Sequence, residues 1–360
     1  KAKRPLLFGG GGLILSDAST AFTEFARQTR TPVTTSLMGL GAFPGTDPLW
    51  LGMIGMHGSK VSNMAVSQSD LLVVIGARFS DRVVSRADRF ATRAKILHID
   101  IDPAEINKNI PAYHHVIGDV KEVLKVFNKR ITKRIDHDDW LAKISAWKEK
   151  YPIRVTIDNR RPKEIIAAAH TATDGNAIIV TEVGQHQMWV AQFYKFSKPD
   201  TFITSGGLGT MGYGTGAAIG AKLAKPDTPV INIAGDGSFQ MNCNEIATAV
   251  KHKVPIVVLI MNNHTLGMVR QWQTLFYEGR YAETTLDHEI DWVKLAEAFG
   301  AKGMLLRTED DAEAVIREAL ASGGPVVVDC EIPIDDIALP MVAPGASIEE
   351  VILSVDPISD

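Results

Sequence analysis

The residues best placed to do chemistry in this chain are a carboxylate and an amide, each following an apolar run. Val230-Ile-Asn-Ile-Ala234 leads into Gly235-Asp236-Gly237, and Ile256-Val-Val-Leu-Ile-Met261 leads into Asn262-Asn263. The glycines let backbone come close to a ligand, and a helix start offers free N–H groups to phosphate. If the two runs are neighbouring strands, Asp236 and Asn263 meet at the end of one sheet. A carboxylate and an amide oxygen suit Mg²⁺, which completes its octahedron with water and phosphate oxygens. Asp-Gly and Asn-Asn are also common turn formers, so two unrelated turns are the competing account.

Other segments carry weaker signals. Gly207, Gly209 and Gly212, after the run Thr201–Thr204, satisfy G-x-G-x-x-G formally. The acid that a dinucleotide ribose would need, roughly 20 residues on, is Asp236. It sits inside a tight Gly-Asp-Gly turn that suits a metal better than a ribose, so the case for NAD is weak. Gly9-Gly10-Gly11-Gly12 breaks the same pattern at Ile14, and no Walker lysine follows; its backbone can still approach a cofactor, or it is a flexible turn. Gly76-Ala-Arg-Phe-Ser-Asp-Arg82 follows the run Leu71–Ile75, which places Arg78 and Arg82 where ligand phosphates or carboxylates bind. Surface pairing with Asp81 and Asp88 is the plain alternative. His57-Gly58 is a further notable pair, while His114-His115 reads as a polar loop rather than a metal site. Met53, Met56, Met211 and Met268 are of a type that fills core gaps. There is no zinc-type Cys/His spacing, no His-Glu-x-x-His and no Gly-x-Ser-x-Gly.

Short apolar runs alternate with amphipathic runs of helical length, the pattern of an α/β fold with doubly wound, mostly parallel sheets. Strands are expected at Arg4–Phe8, Pro32–Ser36, Leu71–Ile75 and Lys95–Asp100, then at Ala177–Thr181, Thr201–Thr204, Pro229–Ala234, Pro255–Met261, Lys302–Leu306 and Pro325–Cys330. Helices are expected over Ser16–Thr29, Val120–Asn128, Tyr213–Leu223, Asn242–Lys251, Asp291–Phe299 and Asp310–Ala321. The polar stretch Lys129–Asp139 and the break Asp158-Asn-Arg-Arg-Pro162 suggest a first domain over 1–135 and a linker over 136–160, with Trp140–Lys150 as a connecting helix. A second domain follows over 161–360.

Composition removes several function classes. The 38 Lys+Arg against 42 Asp+Glu give a net charge of −4, so nothing favours nucleic acid or an anionic membrane. The longest apolar run, Pro255–Met261, is far short of the roughly 20 residues of a membrane span. Cys243 and Cys330 cannot build a disulfide framework and fit a reducing compartment. The start Lys-Ala-Lys-Arg-Pro has neither Met nor an apolar leader and reads as a cut end.

Gly235-Asp236-Gly237, 24 residues (238–261) and Asn262-Asn263 together resemble the thiamine diphosphate and Mg²⁺ signature. Val183-Gly-Gln-His-Gln-Met-Trp189, Ser205-Gly-Gly-Leu-Gly-Thr-Met-Gly212 and Leu266-Gly-Met-Val-Arg-Gln-Trp-Gln273 narrow the resemblance to the acetohydroxyacid (acetolactate) synthase catalytic subunit. Leu51-Gly-Met-Ile-Gly-Met-His-Gly58 and Gly76–Arg82 resemble that family's central flavin-binding domain, and Pro340-Met-Val-Ala-Pro-Gly-Ala346 fits its ending.

The resemblance implies a central FAD-binding domain and a C-terminal thiamine diphosphate domain. The family's N-terminal pyrimidine-binding domain, with its catalytic glutamate, has no counterpart, so the chain alone is expected to be inactive. The implied reaction decarboxylates pyruvate and joins the remaining carbons to a second 2-keto acid, pyruvate or 2-ketobutyrate, on the route to branched-chain amino acids.

By resemblance, Asp236, Asn263 and the Thr265 carbonyl hold Mg²⁺; the family often has an acidic residue where this chain has Thr265. Gln185, His186, Gly235, Gly237 and Ser238 reach the diphosphate, Met211 bends the cofactor, and Gly209 and Met241 contact its pyrimidine. Arg82 takes the acceptor carboxylate. Trp272 favours the larger acceptor, with Met268 beside it. FAD is implied along Gly10, Gly11, His57, Gly58, Gly76, Arg78, Asp100 and Asp119, with Asp81 ordering the Arg82 loop. The implied partners are a second copy in a homodimer and a small regulatory subunit. The implied location is bacterial cytoplasm, with an organelle as alternative. Pyruvate oxidase and glyoxylate carboligase types, or a non-catalytic nucleotide-binding module, are the competing readings.

Overall fold

The computed structural model describes residues 2–131, 135–153, 160–286, 288 and 290–354. The chain forms two compact units: Lys1–Arg154 with Phe196–Pro199 and Leu339–Asp360, and Val155–Lys195 with Asp200–Ala338.

The first unit is a parallel sheet of β1 (Pro5–Gly9), β2 (Val33–Thr35), β3 (Trp50–Met53), β4 (Leu71–Ile75), β5 (Lys95–Asp100) and β6 (His114–Ile117), in the order β3-β2-β1-β4-β5-β6. Leu6, Phe8, Leu72, Val74 and Ile96 enter one core, while Leu7, Val73, Ile75 and Ile99 enter another. Burial on both faces is why these strands read as unbroken apolar runs. The strand order reverses between β1 and β4, and such a switch point leaves a crevice outside the strand ends. The helix expected from residue 16 starts later, at Ser19–Thr29, because Asp17 takes a left-handed turn at φ +50° after a short turn Gly12–Leu15. His114-His115 lies on the edge strand β6 rather than in a loop.

Two expectations about domain limits meet a different arrangement. Helix Asp138–Lys150, expected as a connector inside a 136–160 linker, presents Trp140, Ile144 and Trp147 to the first core. The Trp140 indole N–H donates to the Pro5 carbonyl at 3.0 Å. Residues 339–360, expected in the second domain, group with the first: Ile348 is in its core, and the Ser85 hydroxyl donates to the Ala346 carbonyl at 2.7 Å. Residues 132–134 of the polar stretch and Asp158-Asn159 of the expected break lie outside the described residues.

The second unit holds β7 (Ile178–Thr181), β8 (Phe202–Thr204), β9 (Val230–Gly235), β10 (Val257–Asn262), β11 (Lys302–Leu306) and β12 (Val326–Glu331), all parallel, in the order β11-β12-β10-β9-β7-β8. Val180, Ala234, Val258, Ile260 and Val327 pack with Ala218 of helix Gly214–Ala224 and Trp292 of helix Trp292–Ala298. Here the order reverses at β7 and β9. Strands β3 and β6 and helices Lys60–Gln68, Arg160–Ala172, Gln185–Phe193 and Gly267–Phe276 were not expected from the sequence.

Candidate thiamine diphosphate and metal site

Strands β9 and β10 lie side by side, with Gly235 paired to Met261. Their carboxyl ends deliver Asp236 and Asn263 to the wall of one cleft. Asp236 is 3% exposed. Its Oδ1 accepts the Gly237 N–H at 2.8 Å, whereas its Oδ2 is buried without a hydrogen-bond partner. Burial pushes this carboxyl up to about 6, against the opposing pull of the Gly237 and His264 N–H groups. A buried carboxylate oxygen left unpaired is costly, and a hard cation is the partner such an atom takes.

The Asn263 amide is also buried; its Oδ1 faces the Thr265 N–H and its Nδ2 faces Gln185 Oε1, both at 3.4 Å. Between these residues His264 adopts φ +55°, a conformation that costs a non-glycine residue free energy and often marks functional sites. The bend is pinned to a neighbouring segment: Leu266 N–H donates to Thr284 O at 2.7 Å, and Leu286 N–H to His264 O at 2.9 Å. The Thr265 hydroxyl donates to Thr284 O at 2.8 Å, which leaves the Thr265 carbonyl as the atom that the resemblance would use.

Two helices begin at the same cleft, Gln185–Phe193 and Gly267–Phe276. Helix starts carry unpaired N–H groups and the positive end of the dipole, and two converging starts suit a diphosphate. Burial drives the His186 imidazole down to about 3, so it is neutral, and its Nε2 has no partner. Gln185 is held rigidly: its Nε2 donates to Asp336 O at 2.7 Å and to Gln271 Oε1 at 2.9 Å, and that oxygen also accepts the Ala338 N–H at 2.8 Å. Residue 267 must be glycine for this, because a Cβ there would stand 2.1 Å from Gln185 Oε1. Met211, Met268, Leu266 and Trp189 add apolar wall.

Of the expected residues, Gln185, His186, Met211, Gly235, Asp236, Gly237, Ser238, Asn263, Thr265 and Met268 line this one cleft. Gly209, Met241 and Trp272 belong to the same unit but lie outside its lining. Met241 is 60% exposed, and Trp272 is half-buried, edge-on to Phe276 with ring centroids 5.5 Å apart. Gln271, whose carboxamide fixes Gln185, was missed, although it sits inside the quoted Leu266–Gln273 motif.

In the first unit, Gly10 and Gly11 follow β1, His57-Gly58 follow β3, Gly76 and Arg78 follow β4, and Asp100 ends β5. All therefore stand at the carboxyl side of the sheet. A Cβ on Gly10 would lie 2.2 Å from Gly76 O and 2.5 Å from Ala77 Cα, so this glycine is required by backbone crossing backbone. Asp119 follows β6, and its Oδ1 caps helix Val120–Arg130 by accepting from Lys121 N at 2.9 Å and Glu122 N at 3.2 Å. The Arg82 side chain is exposed, and Asp81 stands 3.9 Å from it with both groups in solvent, too loose to order the loop. The loop is held instead by Met56 N–H donating to Arg82 O at 2.8 Å.

Comparison with known proteins agrees with this geometry. A family described as thiamine pyrophosphate enzyme, C-terminal TPP binding domain, matches residues 182–330, and the thiamine pyrophosphate enzyme central domain matches residues 1–127. The acetolactate synthase large subunit of Haemophilus influenzae is 41% identical over 98% of this chain and 63% of its own length. That of Cyanidium caldarium is 43% identical over 96% of this chain and 60% of its own length, and a probable acetolactate synthase large subunit of Methanocaldococcus jannaschii is 43% identical over 98% and 61%. The chain thus spans about three fifths of the length of the curated relatives it matches. With two neighbouring domain families matched in order, and Asp236 and Asn263 gathered at the end of one sheet, the chain belongs to the thiamine pyrophosphate enzymes and carries their central and C-terminal domains.

Proposed function

We propose that this chain is the central and C-terminal part of an acetolactate synthase catalytic subunit, which decarboxylates pyruvate and ligates the remaining two-carbon unit to a second 2-keto acid. The observation that carries this reading is the buried, unpartnered Asp236 Oδ2 at the end of β9, beside the Asn263 amide and two helix starts. Asp236, Asn263 and the Thr265 carbonyl would hold Mg²⁺, while Gln185, His186 and the two helix starts would take the diphosphate. When bound, the thiamine ring supplies the electron sink that decarboxylation needs. Met211, in the apolar wall, would press against the bound cofactor, so that orientation rather than new bonding would contribute to rate. Arg82 would bind the acceptor carboxylate by a charge-assisted contact. Trp272, with Met268, would favour 2-ketobutyrate by apolar contact with its extra methylene.

FAD is assigned to the first unit, along its β1/β4 switch point, with Gly10, Gly11, His57, Gly58, Gly76, Arg78 and Asp100 at the strand ends. Its role would be structural, since ligation involves no net redox change. The working form would be a homodimer with a small regulatory subunit, in bacterial cytoplasm or an organelle; among the described residues no helix is long and apolar enough to cross a membrane.

The test supplies full-length protein with pyruvate and 2-ketobutyrate together. Acetolactate and 2-aceto-2-hydroxybutyrate are the expected products. Peroxide with acetyl phosphate would favour an oxidase-type relative, and nucleotide binding without thiamine diphosphate binding would favour a non-catalytic module.

A further inference from the structure

Behind the cleft lies a second buried polar cluster that the proposed reaction does not use. Glu182 follows β7 and has no exposed surface, as do Asn232 in the middle of β9 and Thr215 at the start of helix Gly214–Ala224. Both Glu182 carboxyl oxygens, both Asn232 amide atoms and the Thr215 hydroxyl lack a hydrogen bond of good geometry. The Glu182 carboxyl faces the backbone N–H groups of Gly212, Gly214 and Thr215 and the Asn232 amide. The approach is tight: a Cβ on Gly214 would stand 2.4 Å from Asn232 Oδ1 and 2.8 Å from Glu182 Oε1. Burial pushes the carboxyl above its usual range, and the facing N–H groups pull it back.

Glu182 also sits between two pieces of the cleft wall. Val183 follows it directly, and Met211 immediately precedes Gly212, which turns at φ +81°. We infer that Glu182 is a positioning residue: its carboxyl, in close approach to Gly214 and facing the N–H groups at the start of that helix, orients the turn that carries Met211 against the cleft. A buried carboxyl is expensive, and an apolar side chain of similar volume often serves a core as well or better, so packing alone does not account for Glu182.

The inference rests on thiamine diphosphate binding in this cleft, and its test separates the two claims. Full-length Glu182→Ala, Glu182→Met and Glu182→Gln proteins are titrated with Mg²⁺ plus thiamine diphosphate, and separately with Mg²⁺ plus inorganic pyrophosphate. Pyrophosphate senses the diphosphate cradle but not Met211. The Ala and Met variants should lose roughly tenfold affinity for thiamine diphosphate and almost none for pyrophosphate, while Gln, which keeps an acceptor oxygen, should restore binding. If Ala prevents folding, the nearly isosteric Met variant decides by the same two titrations. Parallel loss of both ligands, or unchanged thiamine diphosphate affinity without the carboxyl, overturns the inference. A wild-type protein that binds pyrophosphate but not thiamine diphosphate overturns the cofactor reading and the inference with it.

Discussion

Asp236 and Asn263 close two adjacent parallel strands one step out of register: Gly235 pairs with Met261, so Asp236 stands level with Asn262 and one residue short of Asn263. Just past Asn263 the chain takes a left-handed turn at His264, and Asn263 and Thr265 on either side of it both line the cleft. A carboxylate and an amide 27 positions apart in sequence thereby share one rim.

Asp236→Asn should abolish Mg²⁺-dependent binding of thiamine diphosphate, by more than the roughly 10–100-fold that outer-shell changes cost at metal sites. It should not lower the melting temperature of the ligand-free protein, because it removes the charge of a buried carboxyl whose Oδ2 has no partner and keeps an oxygen for the Gly237 N–H. Calorimetric titration and a thermal melt read the two effects. Unchanged affinity would count against the metal assignment.

Two glycine replacements should fail in different ways. At Gly267 a methyl group meets the end of the Gln185 side chain, which can move only by giving up its hydrogen bonds to Asp336 and Gln271, so Gly267→Ala should mainly weaken cofactor binding. At Gly10 it meets the backbone of Gly76 and Ala77, which cannot yield. Gly10→Ala should therefore destabilise the first unit by about 1–3 kcal/mol or more. Denaturant melts and binding titrations on both variants check the contrast.

His186 should stay neutral across the whole range in which exposed histidines titrate. Its folded value, about 3, lies below the unbound 6.5, so the folded state takes up fewer protons than the unfolded one. Its contribution to stability is complete above pH 6.5 and is lost as pH falls towards 3. Histidine NMR should show no His186 transition above pH 5, and His186→Asn should flatten the acid limb of the stability profile. A His186 titration near pH 6 would contradict this.

Trp272→Leu should lower the preference for 2-ketobutyrate over pyruvate several-fold in a mixed-substrate assay, with a smaller effect on pyruvate turnover. One methylene in an apolar pocket is worth roughly 1–3 kcal/mol, which sets the scale of the change. An unchanged product ratio would remove Trp272 from the acceptor site.

Ten of the strands were legible because they form apolar runs, as with Leu71–Ile75 and Pro255–Met261, whereas β3 and β6 are only partly buried and carry no such run. The helices bordering the cleft were not, because Gln185, His186, Gln187 and Gln271 are polar and buried, which erases the apolar stripe that marks a helix. That Asp236 and Asn263 end neighbouring strands could be read from strand-plus-turn chemistry, but the meeting of Glu182 and Asn232 could not: nothing local in sequence says that an acid after one strand faces an amide inside another. Helix Asp138–Lys150 misled because its flanks are polar while its Trp140, Ile144 and Trp147 stripe belongs to a core built mostly from residues far earlier.

Whether Asp236 and Asn263 hold a metal is decided by growing crystals with Mn²⁺ in place of Mg²⁺ and with thiamine diphosphate, and locating the manganese by its anomalous signal. One peak is expected, within coordination distance of Asp236 Oδ2, Asn263 Oδ1 and the diphosphate. Ordered thiamine diphosphate with manganese elsewhere, or with none bound at Asp236, would contradict it.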